Sequence, residues 1–217
     1  QKAPGTFQHS IQVANLAEEA AHRIGANALL VRAGAMFHDV GKIDNPVYFI
    51  ENQLSENNPH EKLSFDQSAK IIVGHVEKGI IIARKYGIPE QIVDFIRTHH
   101  GTKRAGYFYR LYKKQDTKNI DESVFNYPGP VPFTKETALL MMADSVEAAT
   151  RSLKKPDKQS IDDLVDTIID ELIACRQMKH ASITMKDITR VKSVLKNRLV
   201  SMHHIRIEYP EKNNNSE

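Results

Sequence analysis

Apolar positions recur every three or four residues along most of the chain, and few stretches alternate as strands do. That spacing predicts an all-α fold. A first helix spans about 7–24, with Val13, Leu16, Ala20 and Ile24 in line, and stops at Gly25. A second spans about 27–40 and ends at Gly41. Pro46 and Pro59 bracket an irregular stretch with one short helix around Tyr48 to Gln53. Helical spacing returns over about 64–86, with a break expected at Gly74. Pro89 fits a first turn, and the helix it opens ends at Gly101. The stretch 102–133 is first aromatic and basic, then polar, then reaches Tyr127-Pro128-Gly129-Pro130, and is expected to be a helical insertion followed by a loop. Thr134 caps a further helix, Ser160 with Asp162 and Asp163 opens another, and Thr184 opens the last. No repeat or linker marks a second core. The chain therefore reads as one domain over 1–210 with an insertion at about 102–133 and extra C-terminal helices, and 211–217 as a disordered tail.

Composition narrows the function. Of 217 residues, 41% are apolar, enough for a real core. The net charge of +3 argues against long nucleic acid as a partner and leaves room for a small anion. The single cysteine, Cys175, permits neither a disulfide framework nor a cysteine zinc site, and is expected to be an inert core thiol. That cysteine usage suits a reducing, cytosolic compartment. No apolar run approaches the about 20 residues of a membrane span, and no signal peptide is visible. The first residue is Gln1, as expected of a piece of a larger protein.

The candidate chemistry lies on the inward stripes. His9 aligns with Val13 and Leu16, His38 with Val31, Gly34 and Ala35, His75 with Ile71 and Ile72, and His99 with Ile92, Phe95 and Ile96. Any one of these can be a hydrogen-bonded core histidine. Asp144, between Leu140, Met141 and Ala148, and Asp39, directly after His38, change the balance. A buried carboxylate needs a cation or several donors, and no buried lysine or arginine is evidently placed for both. Metal ions meet that need. Nitrogen and oxygen ligands without sulfur, with one carboxylate bridging, favour two six-coordinate ions, iron or manganese, over structural zinc. Lys42, three residues past His38-Asp39, and Arg151, seven past Asp144, are candidate phosphate ligands; a solvated lysine and a surface arginine are the plain alternatives. Tyr107, Phe108 and Tyr109, interleaved with basic residues, are candidates for stacking on bases, or for sealing a small core. His22, His60, His180, His203 and His204 lack acidic partners in the pattern and carry no expected role.

The order His9, His38-Asp39, His75, His99-His100, Asp144 resembles HD-domain phosphohydrolases with a dinuclear site. The strings PGTFQHS, HDVGKIDNPVYFIENQ, NPHEKLS, HHGT and YPGPVPFTKETALLMMADSVEAATRS are similar to the cytosolic domain of seven-transmembrane HD proteins, the PgpH-type cyclic di-AMP phosphodiesterases. Gly101-Thr102-Lys103 after the His-His pair departs from the HD-GYP branch. The resemblance implies an HD helical bundle with one metal on His9, His38, Asp39 and Asp144 and another on Asp39, His75, His99 and His100. It implies hydrolysis of cyclic di-AMP to linear 5'-pApA, Asp39, Lys42 and Arg151 serving catalysis. It also implies a cytoplasmic position in a bacterial integral membrane protein, with attached transmembrane helices and a possible homodimer. Two other readings stay open: a one-metal HD hydrolase of another nucleotide, and a nucleotide sensor without turnover.

Overall fold

The computed structural model describes residues 2–53, 58–115, 121–153 and 156–204. The expected tail at 211–217 and part of the insertion lie outside those residues. Eight α-helices form among them: α1 Pro4–Ile24, α2 Ala28–Phe37, α3 Phe65–Lys85, α4 Glu90–Thr98, α5 Gly106–Lys114, α6 Lys135–Thr150, α7 Lys158–Ala174 and α8 Met185–His204. The described residues contain no β-strand beyond one isolated bridge between Arg104 and Asn126.

Local chemistry sets most helix ends. Gly25 takes a left-handed conformation at φ 69°, and its N–H caps α1 by donating to the Ala21 carbonyl. Asn27 accepts from the Leu30 N–H to start α2. Thr134 and Thr137 form a reciprocal capping pair at the start of α6. Thr184 does the same for α8 with Asp187. Several boundaries differ from expectation. α1 begins at Pro4, earlier than Phe7. α2 stops at Phe37, and after His38 and Asp39 the chain tightens into a 3₁₀ turn over Val40–Asp44. The short helix expected near Tyr48 is two 3₁₀ turns, Pro46–Tyr48 and Ile50–Asn52. α3 runs unbroken through Gly74, where one glycine costs less than the surrounding hydrogen bonds supply. Pro89 precedes α4 as its cap, and α4 ends at Thr98. α7 is opened by Asp157, which accepts from the Ser160 N–H, so Ser160 lies one turn inside.

α6 is buried on nearly every side: Ala138 through Ala143 are wholly inaccessible. Around it the main core draws Val13, Leu16 and Ala17 from α1, Val31 from α2, Phe95 from α4, Ile161 and Ile169 from α7, and Leu195 from α8. A smaller cluster joins Ala69 of α3, Phe108 and Tyr112 of α5, and Phe125. Cys175 is exposed at the end of α7, outside the apolar face that Leu172 closes, and is not the core thiol expected.

Candidate metal centre

The seven residues picked out by their order along the chain converge. His9 comes from the second turn of α1. His38 and Asp39 follow α2, His75 lies midway along α3, His99 and His100 follow α4, and Asp144 lies on α6. His38, Asp39, His75 and His99 are at most 1% exposed. Three of the histidines use one device. The Nδ1 atoms of His38, His75 and His99 lie 2.7, 2.5 and 2.7 Å from the carbonyls of Ala35, Ile72 and Ile96, each three residues back. A carbonyl can only accept, so each Nδ1 carries the proton and each Nε2 turns inward. His9 differs: its Nδ1 lies 2.6 Å from Oε2 of Glu147, a residue one turn beyond Asp144 and 2% exposed.

Asp39 sits between two groups. Its Oδ2 lies 3.5 Å from His9 Nε2 and 3.3 Å from His38 Nε2. Its Oδ1 lies 3.3 Å from His75 Nε2 and 3.6 Å from His99 Nε2. Asp144 Oδ1 is 3.0 Å from His9 Nε2 and 3.6 Å from His38 Nε2. His100, half-buried, places Nδ1 3.9 Å from Asp144 Oδ2.

Two observations test whether cations fit here. Both Asp39 oxygens and His38 Nε2 are buried without a hydrogen bond. His75 Nε2 and His99 Nε2, both lone-pair bearing in the neutral tautomer, face each other at 3.1 Å. Ligand atoms about 2.0–2.2 Å from a common ion stand roughly 3 Å apart, the spacing seen. The residues therefore fit divalent ions. Without metal, protons and Lys42 balance the carboxylates. Burial opposes charge on His38 and His9, but Asp39 and Asp144 outweigh it and lift their pKa values to about 10 and about 8. Burial likewise opposes ionisation of Asp39 and Asp144, yet His38 and its cationic neighbours hold both well below the usual carboxylate range. His99 is pushed down to about 3 by burial and by the charge on His38.

Lys42 is a largely buried lysine that faces one of the two carboxylates, Asp39, and not Asp144. Its Nζ lies 2.7 Å from Asp39 Oδ2 and 2.9 Å from Glu51 Oε1, and over the Phe49 ring. Arg151 reaches Glu147: its Nε and Nη2 donate to Glu147 Oε1 at 3.0 and 2.7 Å. Beside the centre lies a cavity of about 570 Å³, walled by Phe49, His60, His100, Tyr107, Phe108 and Tyr127. Of the three insertion rings, Tyr107 and Phe108 line it. Tyr109 turns away, donating its hydroxyl to Glu122 and packing edge-on to Phe125. Tyr127, 4.2 Å from His100 between ring centroids, was expected here only as one of residues 102–133, and His60 was not expected in this wall. Tyr127 stood out only as part of a turn-like run, and no partner pattern marked His60. Nor was Gln177 expected: it is buried on the turn before α8 and accepts from the Thr102 N–H directly after the His-His-Gly run.

The HD domain family profile matches residues 6–149. The chain belongs to the HD domain family. This HD domain is 44% identical over 211 residues to the cyclic-di-AMP phosphodiesterase PgpH of Bacillus subtilis and 43% identical over 210 to that of Listeria monocytogenes, covering 97% of this chain in each case. It spans 29% of the length of each of those relatives. Among solved structures it resembles the HD domain of L. monocytogenes PgpH in complex with cyclic-di-AMP, with a TM-score of 0.89 and 42% identity over 93% of this chain and 94% of that one. A second structure of the L. monocytogenes PgpH HD domain gives a TM-score of 0.88, over 94% of this chain and 95% of that one.

Proposed function

We propose that this HD domain hydrolyses cyclic di-AMP to linear 5'-pApA using two divalent ions, iron or manganese. The observation that carries the reading is Asp39: one oxygen faces His9 and His38, and the other faces His75 and His99. One position then takes His9, His38, Asp39 and Asp144, and the other takes Asp39, His75, His99 and His100. When bound, the ions supply an activated water at neutral pH and polarise the phosphodiester. The protein's own part is orientation. Backbone carbonyls fix three imidazole rings, and Asp39 separates the two positions. Lys42, whose ammonium lies on Asp39 and Glu51 at the edge of the centre, would be the residue to meet a phosphate oxygen. The cavity beside His100 offers rings to an adenine base through Tyr107, Phe108 and Tyr127. Tyr109 supports that wall from behind. A one-metal reaction would leave His75, His99 and His100 without work, although His75 and His99 converge on one Asp39 oxygen and His100 lies beside them.

The chain's share of its longer relatives supports a place as the catalytic part of a larger, membrane-attached protein, facing the cytoplasm. No helix among the described residues is long and apolar enough to cross a membrane. Incubating the purified chain with cyclic di-AMP and added manganese or ferrous iron should yield pApA, and chelator should stop it. A folded, metal-loaded chain that leaves cyclic di-AMP intact would overturn the proposal.

A further inference from the structure

His9 is held unlike the other inward-facing histidines. His38, His75 and His99 donate to neutral carbonyls on their own helices. His9 instead meets a buried carboxylate brought from another helix, Glu147, at 2.6 Å. The same carboxylate offers its other oxygen to both arms of the Arg151 fork. We propose that Glu147, held in place by Arg151, is a positioning residue for His9, and that it makes the His9–His38–Asp144 position the tighter of the two, filled first. The inference rests on the two-ion reading above.

An anionic acceptor behind an imidazole makes the metal-facing nitrogen more basic than a carbonyl does and fixes the ring. The His9 position also owns a carboxylate of its own, Asp144, whereas the His75–His99–His100 position has only its share of Asp39. Both differences favour a dication at the first position. Arg151 thereby has a role that does not involve substrate. Both fork atoms lie on one Glu147 oxygen, which leaves the other free for His9.

Titration of the metal-free chain with Mn²⁺, following free Mn²⁺ by electron paramagnetic resonance, tests this without turnover. Wild type should bind in two steps. E147Q should weaken the first step by roughly 10–100-fold and leave the second within about threefold. H100A should keep the tight step and lose the weak one. Equal weakening of both steps in E147Q, or none, overturns the proposal. Wild type that binds no metal overturns the two-ion reading as well, which separates the two failures. Should E147Q fold poorly, ¹⁵N spectra of the Zn²⁺-loaded wild type give the answer: His9 Nδ1 should carry a proton, and a metallated Nδ1 overturns the proposal. R151A frees Glu147, so its first Mn²⁺ step should weaken in the same direction as in E147Q while the second holds. A KM at least tenfold higher with wild-type Mn²⁺ binding would make Arg151 a phosphate ligand and defeat its assignment to Glu147.

Discussion

Lys42 puts a positive charge 2.7 Å from one oxygen of the buried Asp39 carboxylate. Its side chain is 12% exposed, so solvent screens the contact little. Lys42→Met should therefore cost the metal-free protein about 3 kcal/mol, because Asp39 and Glu51 lose their shared cation. Saturating manganese should remove much of that deficit, since the ions then balance Asp39. Urea unfolding of both proteins with chelator and with metal measures it, and an equal deficit under both conditions would show that Lys42 acts independently of the centre. Asp39 itself makes a second prediction. Asp39→Ala removes a ligand from both positions and should leave almost no bound metal, whereas His100→Ala should retain about one ion per chain, both variants being inactive. Elemental analysis with circular dichroism decides, and equal loss in the two would argue against a bridging carboxylate. The seven candidate ligands were legible because their residue types are costly on apolar helix faces. Glu147 was visible one turn from Asp144, but its partner lies 138 positions away in sequence. No local pattern reveals a pairing at that distance. His60 was hidden for a related reason, its ring being held by the Tyr48 carbonyl, which leaves no side-chain signature.

Helix identities follow from periodicity, and the caps at Asn27, Thr134 and Thr184 from short-range chemistry that any sequence displays. What periodicity does not contain is how closely two helices approach. Gly41 shows this. A Cβ there would lie 1.9 Å from the His75 carbonyl oxygen and 2.5 Å from the Gly79 nitrogen, so the turn carrying Asp39 rests directly on the α3 backbone. The same glycine was legible only as a helix stop. Gly41→Ala should push the Val40–Asp44 turn away from α3 and part Asp39 from His75. The expected cost is about 2–3 kcal/mol, with reduced metal content. Gly74 lies on the same helix with nothing within 4 Å of a Cβ. Gly74→Ala should stabilise by about 0.5–1 kcal/mol and leave metal unchanged. Thermal melts and metal analysis of the pair provide the check, and a neutral Gly41→Ala would mean the turn has room to shift. Gln177 makes the corresponding contact on the far side. Its amide oxygen lies 2.3 Å from where a Cβ of Gly101 would stand, where φ is +53°, so the turn before α8 fixes the chain leaving His100.

Across the whole molecule the centre and the cavity belong to different cores. His9, His38, His99 and Asp144 stand on or directly after α1, α2, α4 and α6, whose buried faces make the main cluster. The cavity wall at Phe108 rests on the smaller cluster with Ala69, Tyr112 and Phe125. The sequence marked the insertion by its aromatic and basic composition. It did not sort the rings, because Phe108, Leu111 and Tyr112 share one apolar stripe, and the stripe does not tell a ring that packs inside from a neighbour that meets a cavity. Packing sorts them: Tyr107 is 60% exposed at the cavity rim, while Phe125 is fully buried behind it. Tyr107→Ala should then raise KM for cyclic di-AMP with no change in melting temperature. Phe125→Ala removes a buried ring from a small cluster, at a cost of about 3–5 kcal/mol where that cluster unfolds with the rest. If the cluster instead loosens locally, global stability falls by less and KM still rises by roughly tenfold or more. In either case metal binding should be unchanged, because none of the candidate ligands belongs to that cluster. Steady-state kinetics beside metal analysis of Phe125→Ala separates these outcomes. Loss of metal in step with the rise in KM would show that the cavity wall and the centre form one cooperative unit.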